Sequence, residues 1–520
     1  MSGVFDKKTD KINRREERTK KEQQEKKKIR IISIIVVIVF ALLVSAAVLI
    51  NSKLLRRTLP AVTIGGVNFS VAEFNYYYYT TYNEYRQYLV SQLGEDYASS
   101  MLPSSSVPHS SQIYDQETGQ TWAELFNGYT IDRLSEQVKY FNAAKAAGYT
   151  LTDEKRDEMN TEVEDLRSYA GMVGLASIDA LLQAYYGPNM NEKCFRKALE
   201  FSYTAASYSE HVKESFEYSA GDKAAYYAEN KDTLDSFTYR YFLVKAEIIA
   251  KDDYETDEEY ETVNNAALAE ANARAAQITA GISSEEDFIE AAREYNGEDY
   301  NEPDSTIRTY PGSWLSGPYQ EWLRDETRQY GDVTSVEMTT GAYVVYFVER
   351  DHNEYQMASM RQILIMRQEV DMEEFADGED DPAYIKAFEI MDSVASERAE
   401  EAKRLFIEGG ATEDRLIELM ADYPDDTTPG GYYENITKNQ ADNKMVKEIE
   451  EWLFAPGRKV GDYALIRTEA YGYHLVYFTG YGERYCDHLA TEKMRTRDYN
   501  TWNEGLEPVE AVKRWAFIFV

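Results

Sequence analysis

The chain has 520 residues, 43% of them hydrophobic, with a formal net charge of −36; that is enough apolar material for several cores and suggests about three domains, not one compact unit. Setting aside the fifteen Lys and Arg and six Asp and Glu of residues 1–57 leaves 41 basic against 86 acidic residues, a net charge of −45. Nucleic acid and anionic membranes are therefore poor partners for this portion, and solubility is the simplest use of the charge.

Residues 1–30 carry twelve Lys and Arg against six Asp and Glu, and Ile31 to Ile50 then runs twenty positions without a charge. That length matches the ~20 apolar residues needed to cross a bilayer core, so the sequence predicts a transmembrane helix over 31–50, with a cytoplasmic basic tail over 1–30 and the bulk of the chain extracytoplasmic. The alternative is a cleaved secretory signal. Ser45-Ala46-Ala47 offers cleavage chemistry, but Val48-Leu49-Ile50 continues the apolar run past it, which favours a signal anchor in the cell membrane. No cysteine lies near the segment for lipid attachment; Cys194 and Cys486 are the only two, too few for a disulfide framework and without metal-ligand spacing.

Ala61 to Phe69 reads as a hairpin of two short strands around Gly65-Gly66. Ser70 followed by Glu73 is a capping box that opens a helix carrying Phe74 and the cluster Tyr76 to Tyr79. Leu102 to Gln112 is a Ser- and Pro-rich loop. From Thr121 to about Asn230 the pattern is helical, with breaks at Gly148, Gly174 and Gly187-Pro188 and N-caps at Thr152, Ser177 and Asn191.

The second half repeats itself. Glu321-Trp322-Leu323, Arg328 and Gly331-Asp332 recur at the same offsets as Glu451-Trp452-Leu453, Arg458 and Gly461-Asp462. Each set is followed by a β-rich stretch, Gly341 to Phe347 and Gly472 to Phe478, and preceded by a strand, Tyr239 to Val244 and Ser359 to Met366, then by helical pattern. The unit is an α+β module of about 115 residues. The acidic run Glu373 to Asp381 lacks the ligand spacing of a calcium loop and reads as a solvated insertion. Leu489 to Trp502 reads as a helix, and the apolar stretch Trp515 to Val520 is expected to pack back on the helical region.

With the hairpin-then-helix opening and helical body, residues 59–235 resemble the N-terminal chaperone region of PrsA- and SurA-type foldases. Residues 236–352 and 355–482 each resemble a parvulin-type peptidyl-prolyl isomerase domain. In the second copy the resemblance is carried in order by Arg361-Gln362-Ile363-Leu364, Gly430-Gly431, Met445 through Phe454, and Gly472-Tyr473-His474. The fold class it implies is α+β multidomain: an N-terminal transmembrane helix, a mainly α-helical SurA-N-like chaperone domain, two parvulin-like domains, and a C-terminal helix over 483–520 returning to the chaperone domain. The implied activity is prolyl cis-trans isomerisation of unfolded or proline-containing exported polypeptides, with no metal or other cofactor and no nucleic acid.

By the same resemblance, Asp426 and His474 hold the catalytic positions of the second module, Met445, Ile449 and Phe454 line a proline pocket, and Gln362 and Tyr433 complete the substrate-binding set. Ile449 stands where a Phe is more usual. Gln362 stands at the family's first histidine position; it hydrogen-bonds but does not titrate, which breaks the paired-histidine network. In the first module the histidine positions fall at Tyr241 and Tyr343, and Tyr310-Pro311-Gly312-Ser313 replaces the Gly-Gly signature, so that copy reads as non-catalytic.

Each residue also has a plainer reading. Met445, Ile449 and Phe454 fit a core stripe on an amphipathic helix, His474 fits a structural histidine, and Asp426 fits the turn chemistry of Asp425-Asp426-Thr427-Thr428-Pro429. No G-x-S-x-G, H-E-x-x-H or phosphate-binding glycine loop is present, and five histidines argue against a metalloenzyme. Three functions stay open: a membrane-anchored foldase with isomerase activity, a non-catalytic chaperone of the same architecture, and a surface interaction scaffold.

Overall fold

The computed structural model describes residues 26–28, 30–41, 44, 52–248, 256–297, 303–371, 375, 380–438 and 445–520. Among them no helix is long and apolar enough to cross a membrane, which corrects the expected transmembrane helix. Within the expected span, residues 31–41 and 44 are described, and all of them are helical. Residues 42–43 and 45–51 lie outside the described residues, as do most of the basic tail and most of the acidic run Glu373 to Asp381.

The chain is α+β and divides into two compact units, residues up to Phe216 together with Asp498–Val520, and Glu217–Arg497. In the first unit a three-stranded antiparallel sheet, in the order β11-β1-β2, joins β1 (Pro60–Ile64), β2 (Val67–Ser70) and β11 (Ala511–Lys513). Gly65 and Gly66, at φ 50° and 84°, make the two-residue turn between β1 and β2; both central residues of such a turn need the left-handed region. Ser70 then caps helix Val71–Leu93 through a reciprocal box with Glu73. Thr121 and Glu124 do the same for helix Trp122–Ala147, and Thr152, Ser177 and Asn191 each accept an amide hydrogen at the start of the three helices that follow. Phe74, Tyr77, Phe126, Leu134, Val138 and Phe201 fill the core, and Ala516 joins them from the C-terminal turn Trp515–Phe519.

The second unit holds two copies of one sheet. Strands β3 (Ser236–Lys245), β4 (Ile307–Pro311), β5 (Val333–Met338) and β6 (Gly341–Asp351) form a sheet of order β4-β3-β6-β5. Strands β7 (Gln356–Met366), β8 (Tyr432–Ile436), β9 (Tyr463–Thr468) and β10 (Gly472–Arg484) form β8-β7-β10-β9, the same order. All pairs are antiparallel.

Strand alternation gives each sheet two buried faces. In the second copy Ile363, Ile365, Leu475 and Tyr477 pack on helices Pro382–Glu408 and Glu413–Met420, while Met360, Val476 and Phe478 pack on Ile449 and Leu453 of the short helix Lys447–Leu453. In the first copy Phe242, Val244, Val344 and Tyr346 face helices Asp257–Gly281 and Glu285–Asn296, and Tyr239, Val345 and Phe347 face Leu323 of the short helix Gln320–Arg324 and Tyr319 at its start.

The sequence repeat maps onto one recurring turn. Gly331 and Gly461 both sit at φ 93°. Their amides donate to the carbonyls of Phe347 and Phe478 at 3.1 and 3.0 Å, and those residues' own amides donate to the carbonyls of Asp332 and Asp462 at 2.8 Å in each copy. The Asp332 carboxylate accepts from the Gln329 amide at 3.0 Å, and that of Asp462 from the Lys459 amide at 2.9 Å. Arg328 and Arg458 stack over Trp322 and Trp452 at 4.9 and 3.7 Å.

Candidate active site in the second repeat

Gln362 on β7 lies opposite Val476 on β10, and His474 lies opposite Leu364. Gln362 and His474 are therefore diagonal neighbours on the face covered by the short helix, within reach of each other's side chains. Both are almost fully buried, and His474 Nδ1 meets Gln362 Oε1 at 2.9 Å. Gln362 Nε2 donates to Asp426 Oδ2 at 2.8 Å and to Tyr433 Oη at 3.2 Å. Tyr433 Oη donates to the Asp426 carboxylate at 3.1 Å and accepts from Thr428 Oγ1 at 2.8 Å. At the far end Thr468 Oγ1 lies 3.1 Å from His474 Nε2.

The carboxylate fixes the direction of this chain. Acceptor-only Asp426 demands the amide nitrogen of Gln362, which leaves Oε1 to receive a hydrogen from Nδ1 of His474. In the neutral ring Nε2 is then the unprotonated nitrogen and accepts from the Thr468 hydroxyl. Every donor from Thr468 through His474 and Gln362 points toward Asp426, an arrangement in which each bond polarises the next. Burial favours the neutral form of His474. Burial, only partly offset by the negative Asp426 and Glu448, lowers its pKa from 6.5 to about 4. Burial also raises the Tyr433 hydroxyl above its usual value, with Asp426 adding to the effect.

Two local devices deliver Asp426. The Thr428 amide donates to Asp426 Oδ1 at 2.8 Å, closing a turn, and the neighbouring Asp425 accepts the Met366 amide at 2.9 Å. The turn reading of Asp425 to Pro429 and the site reading of Asp426 are thus both served by one residue. Gly431, at φ 52°, packs so closely that an added Cβ would collide with the Gln362 carbonyl oxygen and the Met420 methyl.

The apolar candidates gather beside the polar chain. Ile449 is buried, and Met445, Phe454 and Tyr433 pack half-buried on the same cluster as Met360, Val476 and Phe478. All seven residues expected from the sequence, Gln362, Asp426, Tyr433, Met445, Ile449, Phe454 and His474, therefore lie on one face of the second sheet. Sequence reading passed over Thr428 and Thr468. Thr428 stood within the turn motif, whereas nothing in the sequence around Thr468 marks its hydroxyl.

In the first repeat the same face carries aromatic rings in place of the polar chain. Tyr241 and Tyr343 stand at the positions of Gln362 and His474, and Tyr319 at that of Ile449. Tyr241 lies 5.8 Å from Tyr319 and 5.7 Å from Tyr343 between ring centroids, and Tyr319 lies 5.2 Å from Tyr343. Two ion pairs are kept in both copies: Arg240 to Glu285 and Arg361 to Glu413, each at 2.6 Å, and Arg328 to Asp332 and Arg458 to Asp462, at 3.3 and 3.5 Å. Among the described residues no group of three or more His, Cys, Asp or Glu is placed to hold a metal ion.

No protein-family model matches the chain, and no curated protein matches it.

Proposed function

We propose that this protein is a foldase of the parvulin-containing type, with prolyl cis-trans isomerisation carried by the second repeat and client holding by the helical unit and the first repeat. The observation that supports it is the joining of Asp426, Gln362, Tyr433 and His474 in one hydrogen-bonded chain beside the Met445, Ile449 and Phe454 cluster. Rotation about an X–Pro bond is slow because it breaks amide resonance. It needs no nucleophile. An apolar seat for the proline ring, with polar groups that favour the twisted amide over the planar one, binds the transition state better than the ground state. In this reading Met445 and Phe454 take the ring, Asp426 and Tyr433 supply the polar edge, and Gln362 and His474 are positioning residues.

A second reading, a non-catalytic chaperone of the same build, is favoured by one observation: each side-chain hydrogen-bonding atom of Gln362 and His474 already has a partner inside the protein. A prolyl-peptide isomerisation assay with the full chain separates the two. The enzyme reading expects acceleration over the spontaneous rate and a loss of about tenfold or more in Asp426→Ala and Phe454→Ala, within the range usual for site groups. A rate equal to the spontaneous one, with aggregation of an unfolded client still suppressed, sinks the enzyme and keeps the chaperone. Neither effect leaves the interaction scaffold.

A further inference from the structure

In a chain of net charge −36, the segments 53–58 and 511–520 carry Lys53, Arg56, Arg57, Lys513 and Arg514 and no acidic residue. The fold brings both segments onto the first unit. The Arg514 amide donates to the Ala61 carbonyl at 2.7 Å, its Nε donates to Thr63 Oγ1 at 2.8 Å, and the Arg56 guanidinium stacks 4.9 Å from the Phe519 ring. Arg57 is spent on the carbonyls of Asn189 and Met190. Lys53, Lys513 and Arg514 are exposed.

Large apolar side chains stand out among these cations. The turn Trp515–Phe519 buries Ala516 and sets Phe517 against Phe74 at 5.4 Å, which leaves Trp515 and Ile518 57% and 68% exposed. Three residues apart on a 3₁₀ turn, these two share one side. Leu54, at 64%, is exposed on the segment 53–58, and Val512, at 43%, on the strand just before the turn.

We propose that this surface rests on an anionic lipid bilayer, with Trp515, Ile518 and Leu54 entering the boundary between headgroups and acyl chains and Lys53, Lys513 and Arg514 meeting lipid phosphates. Tryptophan beside basic residues is the composition of membrane interfaces, and apolar side chains in such contacts reach about 5–10 Å into the leaflet. The contact lies on one leaflet and needs no crossing helix. Glu124, whose carboxylate feels the charge of Lys513, and Glu510 are acidic residues beside this surface; charges beyond about 8 Å are screened at physiological salt. A nucleic acid fits less well: its phosphates offer nothing to Leu54 and Ile518.

The test uses the full chain carrying Ile518→Cys labelled with an environment-sensitive fluorophore; the native Cys194 and Cys486 are buried. On adding vesicles of phosphatidylcholine with phosphatidylglycerol, the emission should shift to the blue and the label should lose most of its accessibility to aqueous iodide. Lys53→Ala with Lys513→Ala should raise the vesicle concentration needed for half of that shift by roughly 30-fold, at the usual worth of each basic residue near an anionic surface. Both sites are exposed, so the variants keep the fold. The proposal is overturned if the protein floats with vesicles while the label stays open to iodide, if the protein does not bind vesicles, or if nucleic acid shifts the label and vesicles do not.

Discussion

Between pH 7 and pH 4 the folded protein should refuse a proton that its unfolded chain accepts, and the residue responsible is His474. An ordinary histidine titrates at 6.5, whereas burial beneath the short helix holds His474 neutral down to about 4. As pH falls below 6.5 the unfolded chain takes up the proton first, so stability tied to this site is present in full above pH 6.5, declines through the window down to about 4, and is flat below it. The gap corresponds to about 3 kcal/mol at 1.36 kcal/mol per pH unit. Two measurements check it. The ring resonances of isotope-labelled histidine, with the His474 signal identified by its absence from His474→Asn, should show one imidazole titrating near pH 4. Urea unfolding of the wild type and His474→Asn should then converge by about 3 kcal/mol between pH 7.5 and pH 4. A His474 signal titrating near 6.5 refutes the neutral, directional hydrogen-bonded chain, because an imidazolium would have to donate from both ring nitrogens, and the Asp426-directed order leaves Nε2 as an acceptor.

The glycine beside the site should be equally sensitive. Gly431→Ala forces a Cβ into the Gln362 carbonyl at positive φ, for an expected loss of about 2–4 kcal/mol in urea unfolding. Gly430→Ala, also at positive φ but near only the end of the Arg361 side chain, should lose about 1 kcal/mol; equal losses would refute the close packing assigned to Gly431. The recurring turn predicts a matched pair: Asp332→Ala and Asp462→Ala each remove an acceptor from one main-chain amide and should each cost about 1 kcal/mol. A clear effect in one copy and none in the other would show that the two turns are not equivalent.

What the sequence made legible follows from how local each signal is. The Gly65-Gly66 turn, the Ser70 box and the caps at Thr152, Ser177 and Asn191 are settled by residues within four positions of each other, and all are present in the fold. The long strands β3, β6, β7 and β10 were legible from their β-branched and aromatic residues and their place in the repeat. Strands β4, β8 and β11 were not. They are five, five and three residues long, β4 ends in Pro311, and β11 is exposed throughout, so only pairing with a distant neighbour defines them. At the site, the repeat placed Gln362 and His474 on equivalent strands. It could not show that Gln362 would bridge His474 to Asp426, since that depends on where a loop 64 residues away returns.

The closure of the first sheet has a consequence for synthesis. Strand β1 needs β11, and Arg514 reaches Thr63 across 451 residues of sequence. Translation at about 5–20 residues per second separates their emergence from the ribosome by roughly 20–90 s. Residues 236–484, which hold both repeated sheets, are synthesised inside that interval. Their sheets have time to form while the hairpin of β1 and β2 waits, its outer edge and the seat of Ala516 uncovered. A nascent chain arrested before residue 511 would therefore expose Phe74 and the β1 edge, and would be the stage at which this protein itself most needs a chaperone.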